Sequence, residues 1–216
     1  MVAALAAVVT PLRSFSTGKS RLFALGADKR EDIGRLAAEA VLAAGGPYQS
    51  HVVTADPEVA SWASHRGASV IICHGASLNA DLEEALEVLG ASGFHRAVIA
   101  LGDLPLLRKG DVDKAAASSG FFLIPDRHRA GTNLLACDLP CPIRLAFGEG
   151  SFAAHLAAIS NARAPLTIDA QSLARYDIDL PEDLDALAAL DAGESLTAAE
   201  RHRLNSILSL AGRPTA

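Results

Sequence analysis

The sequence has few aromatic residues, few cysteines and no surplus of positive charge. Aromatic residues make up 5% of the chain, whereas hydrophobic residues make up 50%. This composition is typical of Ala- and Leu-rich helices packed on a Val/Ile sheet, and 216 residues allow one sizeable core, so we expect a single domain over residues 1–216. The formal net charge of −6 disfavours broad nucleic-acid or membrane-surface binding, because such surfaces are met by clustered cations.

The three cysteines do not form a common redox or zinc motif. Cys137 and Cys141 have three residues between them, which is not the CxxC spacing, and Cys73 leaves no second pair. The apolar start, residues 2–10, has no basic residues before it and is too short to span a bilayer. We therefore expect a cytoplasmic protein whose first strand is this segment.

An apolar run at residues 97–101 leads directly to Asp103. The run has the length and composition of a strand buried on both faces, and Pro105 turns the chain out of the sheet after it. Open α/β sheets bind ligands beyond the carboxyl ends of their strands. A rigid carboxylate at that edge suits a divalent metal that carries phosphates. The alternative is that Asp103 only caps a loop or the next helix.

The loop after the first strand groups cations around a turn of small residues. Arg13, Lys19 and Arg21 surround the turn at Gly18. Such a turn exposes several backbone N–H groups and, with cations beside it, forms a cradle for an anion. The GKS fragment is not a Walker A motif, because Arg13 stands where that motif needs glycine. A solvated basic loop is the alternative.

Strand and helix patterns alternate along the chain. They predict a Rossmann-like, three-layer α/β fold with a mainly parallel sheet. The predicted strands cover residues 2–10, 51–54, 69–73, 97–101, 121–126, 132–137, 166–168 and 175–178. The predicted helices cover residues 28–44, 57–66, 79–90, 151–161 and 197–211, with shorter ones from 111 and 181. The terminal helix opens with a capping box, and we assign it only a packing or homodimer role.

Two further features point to ligand binding. Gly148 and Gly150 precede a helix that starts at Ser151, and glycines there let a small phosphate or carboxylate approach the free N–H groups of the helix. Ser151 as a simple N-cap is the alternative. Asn79, at the start of another helix, either caps that helix or contacts a base or ribose edge.

Asp177 and Asp179 lie two residues apart on the last predicted strand, so they share a face and either could join Asp103 at a metal. The cationic loop, the acids and the helix N-terminus are the parts that nucleotidyl transfer needs. Mg²⁺ on two carboxylates bridges triphosphate oxygens while lysine and arginine neutralise charge. A phosphate oxygen is already ionised at neutral pH, so no side-chain nucleophile is required.

Six motifs carry a resemblance to a known family: TPLRSFSTGKSRL, LNADL, LGDLPLL, PDRHRAGTNLL, FGEGSFAAHL and YDIDLPEDL. In this order they resemble the 2-phospho-L-lactate guanylyltransferases of coenzyme F420 biosynthesis, the CofC/FbiD group of MobA-like nucleotidyltransferases. The resemblance implies transfer of GMP from GTP to a small phosphorylated three-carbon acid, with release of pyrophosphate. That acid is 2-phospho-L-lactate, phosphoenolpyruvate or 3-phosphoglycerate in different members.

The resemblance also implies a role for individual residues. The acceptor acid is held by Thr132, Gly148 and Ser151. The cofactor Mg²⁺ is held by Asp103 and Asp179, with Asp177 as the alternative. The nucleotide is bound by Arg13, Gly18, Lys19, Arg21, Asn79 and Asp103, of which Arg13, Lys19 and Asp103 carry catalysis. The chain departs from the usual family pattern at Leu180 and Gly102. Leu180 replaces the usual threonine, which removes a helix cap, and Gly102 replaces a common alanine.

Three other functions were weighed. Molybdopterin- or sugar-phosphate-type nucleotidyltransferases share the fold but usually carry LxGGxSxRMG after the first strand, where this chain has PLRSFSTGKSRL. A glycosyltransferase could use the DxD at residues 177–179, but that motif comes late in the fold. A nucleotide-binding regulator without turnover is disfavoured because Lys19 and both acidic positions are retained.

Overall fold

Seven strands form one sheet in the order β3-β2-β1-β4-β6-β5-β7. The computed structural model describes residues 5–16, 18–75, 77–190 and 196–214. The strands are β1 Ala6–Pro11, β2 Gln49–Thr54, β3 Ser69–Ile72, β4 Arg96–Ala100, β5 Phe121–Pro125, β6 Thr132–Asp138 and β7 Leu166–Ile168. Strands β1 to β4 pair in parallel, β6 runs antiparallel to both β4 and β5, and β7 is parallel to β5. The prediction of a mainly parallel sheet is confirmed.

Helices cover both faces of this sheet. They are α1 Ala27–Ala44, α2 Pro57–His65, α3 Leu78–Ala91, α4 Lys109–Ala117, α5 Ser151–Asn161, α6 Pro181–Ala188 and α7 Ala198–Leu210, with short 3₁₀ helices at Ser20–Leu25 and Leu173–Arg175. Successive side chains along a strand point to opposite faces of the sheet, so the core has two layers, one on each face. On β4, Ile99 packs with α3 and α5, whereas Val98 packs with α1 and α4. The three-layer prediction is therefore confirmed.

The first strand begins later than predicted, at Ala6. Residues 2–4, which the prediction included, lie outside the described residues. Strand β4 is buried along its whole length at the centre of the sheet, so the chain leaves the core at Asp103 with its backbone held firmly. Among the described residues, no helix has both the length and the apolar character to cross a membrane.

The strand predicted at residues 175–178 is wrong. A 3₁₀ helix ends at Arg175, and the chain then runs as a loop beside the end of β4, where the Ile178 N–H donates to the Asp103 carbonyl (3.2 Å). Ile178 is completely buried against α6 and α7. Its burial explains the strand-like apolar pattern without any pairing along the sheet.

Helix α7 packs on α1 and α6 through an apolar face. Leu204, Ile207 and Leu208 are fully buried there. At the start of the helix, Thr197 accepts from the Glu200 N–H, and Glu200 in turn pairs with Arg108 (2.7 Å). The role of this helix in a homodimer stays a prediction.

Helix α2 begins with the side-chain cap expected from the sequence. Asp56 accepts hydrogen bonds from the N–H groups of Glu58 (2.8 Å) and Val59 (3.3 Å), and Pro57 occupies the first turn. These bonds satisfy two of the N–H groups that a helix start leaves unpaired.

Replacing Asp56 by alanine is therefore expected to lower the free energy of unfolding by about 1 kcal/mol, because both N–H groups lose their acceptor. Asp56→Asn keeps an acceptor oxygen, so it should lower the free energy of unfolding by only about a few tenths of a kcal/mol. Urea unfolding measures both variants. Equal losses in the two variants would contradict the capping role.

Candidate functional site

Three carboxylates meet beyond the carboxyl end of β4. One oxygen from each of Asp103, Asp177 and Asp179 lies within 4.8 Å of the others. Asp103 follows the central strand, whereas the other two precede α6, and the backbone bond from Ile178 to Asp103 holds the segments side by side. The structure thus brings together the three acids that the sequence analysis grouped, with Asp177 and Asp179 positioned by a loop and not by a strand. Their role as metal ligands stays a prediction.

Lys19 reaches into this carboxylate cluster from the first loop. Its Nζ lies 2.7 Å from Asp103 Oδ2 and 3.0 Å from Asp179 Oδ1. The Lys19 side chain is only 12% exposed, and its backbone is left-handed (φ 52°). Such a φ is unfavourable for a residue with a side chain, and it persists where surrounding contacts enforce it. The two ion pairs are contacts of that kind.

Gly18 permits the turn that presents Lys19. Its N–H donates to the Ser14 carbonyl (2.9 Å), and a Cβ on Gly18 would stand 2.9 Å from that same oxygen. A side chain would therefore push the turn open. The turn, Arg13, Lys19 and Asp103 border a cavity of about 230 Å³, which also touches Gly102.

The electrostatics of the cluster reflect three neighbouring acids and one buried cation that pairs with two of them. Burial, with the charges of Asp103 and Asp179, raises the pKa of Asp177 to about 7. Burial also raises the pKa of Asp179, while Lys19 and the exposed Arg21 oppose that rise. Burial disfavours the Lys19 ammonium, but its two acidic partners raise its pKa overall. The cluster thus holds more negative charge than Lys19 alone balances.

The residues present fit a divalent cation. All three ligand groups are carboxylates, which hard cations such as Mg²⁺ prefer. Asp103 Oδ1 is buried and, within the described part of the chain, accepts no hydrogen bond. A buried carboxylate oxygen without a partner is costly, and a metal ion would satisfy it.

Two residues that the sequence reasoning did not assign hold the acids in place. Asn133 Nδ2 donates to Asp177 Oδ1 (3.3 Å) and to the Ala174 carbonyl (2.9 Å). Asp183 Oδ2 accepts from the Asp179 N–H (2.8 Å). Asn133 belongs to the GTN sequence and Asp183 to PEDL, so both residues stand in motifs. The motifs do not show which group each side chain bonds.

Asp183 supplies one half of a capping box at the start of α6, where Leu180 stands at the cap position. Leucine offers no acceptor, yet the Leu180 N–H donates to Asp183 Oδ2 (2.7 Å), and Arg127 pairs with the same carboxylate (2.7 Å). Burial opposes ionisation, but the bonds from Arg127 and the backbone lower the pKa of Asp183 overall. The start of α6 keeps half of a capping box without threonine.

The three predicted acceptor residues lie together. The Thr132 N–H donates to Ser151 Oγ (2.9 Å), and the Ser151 N–H donates to the Gly148 carbonyl (3.1 Å). Ser151 is not the N-cap of α5, because Gly150 holds that position in a left-handed conformation (φ 70°) that suits glycine. Thr132 and Ser151 are almost fully buried, whereas Gly148 is exposed.

Asn79 does not cap α3, because Ser77 does. Its amide instead bonds the backbone of Phe147 at both ends: Nδ2 donates to the Phe147 carbonyl (3.0 Å), and Oδ1 accepts from the Phe147 N–H (2.7 Å). Asn79 therefore ties the start of α3 to the glycine loop before α5. Its contact with a nucleoside stays a prediction.

Two of the three cysteines, Cys137 and Cys141, lie on β6 or just after it. Cys137 is buried on β6, and Cys141 borders a cavity of about 620 Å³ between α3 and the loop after β6. This cavity is larger than the one beside Lys19 but contains none of the predicted site residues. Cavity volume by itself therefore does not select the predicted residues.

The fold is one that proteins named as nucleotidyltransferases share. A protein from Desulfovibrio desulfuricans, named as a nucleotide-diphospho-sugar transferase, superposes with a TM-score of 0.76 over 96% of both chains at 15% identity. A nucleotidyl transferase from Methanothermobacter thermautotrophicus superposes with a TM-score of 0.59, over 85% of this chain and 95% of its own, at 17% identity. At these identities the likeness establishes the fold.

The chain belongs to the family described as guanylyl transferase CofC like, whose model matches residues 6–205. A phosphoenolpyruvate guanylyltransferase of Sphaerobacter thermophilus is 37% identical over 189 residues, which cover 83% of this chain and 91% of that protein. One from Chloroflexus aggregans is 30% identical over 148 residues, covering 67% and 73%. The resemblance found in the motifs is confirmed.

Because Lys19 pairs with both Asp103 and Asp179, Lys19→Met is expected to lower the free energy of unfolding in metal-free buffer by roughly 2–3 kcal/mol, less than for a fully buried pair since Asp179 is half exposed. Loss of the Lys19 cation raises the pKa of Asp179 further in the folded state, because Lys19 opposes the rise caused by burial. A carboxyl group whose pKa is raised in the folded state destabilises the protein as the pH rises through that pKa. The free energy of unfolding lost in Lys19→Met should therefore be greater at about pH 8 than at about pH 5.5.

Lys114→Met is the matched control. Lys114 pairs with Asp169 at the surface, where its side chain is 61% exposed, so its removal should cost about 1 kcal/mol or less. The free energy of unfolding of the wild type, Lys19→Met and Lys114→Met is measured by chemical denaturation at both pH values. A Lys19 variant with a loss no larger at the higher pH would contradict this account of the cluster.

Proposed function

We propose that this enzyme transfers GMP from GTP to a small phosphorylated three-carbon acid, with Mg²⁺ as cofactor and pyrophosphate as the second product, in coenzyme F420 biosynthesis. The observation that carries the proposal is the cluster of Asp103, Asp177 and Asp179, two of which pair with Lys19, in a chain of the CofC-like family. Phosphoenolpyruvate is the acceptor we favour among the three acids, because the relatives described above bear that name.

The carboxylate cluster would hold Mg²⁺, with Asp103 and Asp179 as ligands and Asp177 as the alternative. Bound there, Mg²⁺ would supply neutralisation of the triphosphate charge. Lys19 and Arg13, which border one cavity with Asp103, are placed to neutralise phosphate oxygens beside it. Gly18 and Arg21 complete the proposed triphosphate loop, and Asn79 is the proposed contact near the nucleoside.

The proposed reaction needs no nucleophile from the protein. A phosphate oxygen of the acceptor attacks the α-phosphorus of GTP, the bond between the α-phosphorus and the bridging oxygen breaks, and pyrophosphate leaves with that electron pair. The acceptor oxygen is already ionised near neutral pH, so no proton has to be removed. Positioning and charge neutralisation would then provide most of the rate enhancement.

The acceptor would lie beside Thr132, Gly148 and Ser151. Thr132, one of these residues, is adjacent on β6 to Asn133, whose side chain bonds Asp177. Acceptor residues and carboxylates are thus joined through a single short segment of strand. That proximity supports one reaction centre shared by the two substrates.

The decisive experiment incubates the purified protein with each of four nucleoside triphosphates and each of the three acids. Pyrophosphate release and mass spectrometry of the diphosphate product are measured with and without Mg²⁺. We expect product from GTP and phosphoenolpyruvate only when Mg²⁺ is present. Turnover with a sugar phosphate instead would favour the sugar-phosphate alternative, and GTP binding without any turnover would favour a regulator.

Asp103→Asn is expected to lower kcat by at least about 100-fold, because it removes a negative ligand at the proposed metal site while preserving shape. Asp113→Asn, on the exposed face of α4, serves as a control that should keep full activity. Thermal unfolding of both variants checks the fold. Near-normal pyrophosphate release by Asp103→Asn would refute the proposed role of this acid.

A further inference from the structure

His155 is a fully buried histidine on α5 that lies behind the proposed acceptor residues. Its side chain is completely inaccessible to solvent. Nδ1 lies 3.0 Å from Thr132 Oγ1, and Nε2 lies 3.0 Å from the backbone nitrogen of Ala146. Both ring nitrogens therefore have a partner, one on β6 and one on the loop that leads to the glycines.

The partner of Nε2 determines where the imidazole carries its proton. The Ala146 N–H can only donate, so Nε2 must offer its lone pair. A neutral imidazole then has its proton on Nδ1, and Nδ1–H donates to Thr132 Oγ1. The hydroxyl oxygen of Thr132 is thereby used as an acceptor, and its own proton is directed elsewhere.

The hydroxyl group of Ser151 is oriented in the same way. Its Oγ accepts from the Thr132 N–H (2.9 Å), which leaves the Ser151 proton to donate. Throughout the described ranges, neither hydroxyl proton has a protein acceptor among the bonds of Thr132 and Ser151. Two adjacent O–H groups with free protons, next to an exposed glycine, form a donor pair that suits an anionic oxygen.

We propose that His155 is a positioning residue that orients the Thr132 hydroxyl as a hydrogen-bond donor toward the phosphate or carboxylate of the acceptor acid. This inference rests on the proposed function and extends it to a residue that does not touch substrate. His155 acts through Thr132 and through the Ala146 backbone, so it aligns the strand and the glycine loop together.

The surroundings of His155 keep it neutral and fixed. Burial lowers its pKa to about 4, so the imidazolium form is scarce near neutral pH. The ring of Phe147 packs against it edge to face, with centroids 5.0 Å apart. A neutral, packed imidazole cannot attract an anion by charge, so its contribution is the direction of one hydrogen bond.

The tautomer can be tested without turnover. Nitrogen-15 NMR of the whole protein near neutral pH distinguishes Nδ1–H from Nε2–H in each histidine, and His155→Asn assigns the resonance. We expect the Nδ1–H form at His155, with and without phosphoenolpyruvate. An Nε2–H form would overturn the inference even if the enzyme transfers GMP as proposed.

A double-mutant cycle tests whether His155 acts through Thr132. His155→Leu removes both hydrogen bonds and should raise the KM for phosphoenolpyruvate about tenfold, with the KM for GTP changed by less than about twofold. In a Thr132→Val background, the same substitution should have little further effect on the KM for phosphoenolpyruvate. His155→Asn, which retains a donor amide near Nδ1, should recover part of the loss.

His51→Leu is the matched control for loss of a buried histidine. His51 is also buried, with Nε2 unpartnered among the described residues, and it packs on Phe94 away from the acceptor residues. We expect unchanged KM values for both substrates. Equal rises in the two KM values for His155→Leu, or an undiminished effect in the Thr132→Val background, would overturn the inference.

Calorimetric titration with phosphoenolpyruvate separates this inference from the proposed function. If wild type binds the acid but no triphosphate is turned over, the proposed function fails, while a weaker affinity of His155→Leu and the Nδ1–H tautomer would still support the positioning role. Should His155→Leu fail to fold, His155→Asn and the NMR tautomer decide the question.

Discussion

The site depends on the ammonium of Lys19 lying between Asp103 and Asp179. Three carboxylates within 4.8 Å repel one another in a partly buried setting, and the folded chain must balance their charge. Lys19 offsets part of that charge from a strained backbone position, across 84 and 160 residues of sequence. Its two ion pairs join the first loop to the end of the central strand and to the segment before α6.

Around that centre, polar side chains bond backbone groups of neighbouring loops. Asn133 holds Asp177, Asp183 holds the backbone of Asp179, and Asn79 holds the loop at Phe147. His155 joins that loop to β6. Each of these side chains lies on or beside a helix or strand of the packed core. The loops that they bond are therefore held in place by the core.

The sequence predicted the elements well where a local signal exists. The cap at Asp56, the buried run before Asp103 and the start of α5 at Ser151 depend on neighbouring residues, and all three are present. The prediction failed at residues 175–178, where Ile178 is buried by α6 and α7 and not by sheet pairing. A buried loop and a buried strand share the same apolar pattern, so periodicity cannot separate them.

The sequence by itself determined which chemical groups stand at the strand ends, and its motifs determined the family. Only the tertiary structure decided the partners of those groups: Asn79 bonds a residue 68 positions away, and Ser151 accepts from Thr132 instead of capping its own helix. The reason is physical. A polar side chain bonds whichever donor or acceptor the packed core brings within about 3 Å, and that choice is made by the convergence of distant segments and not by local sequence.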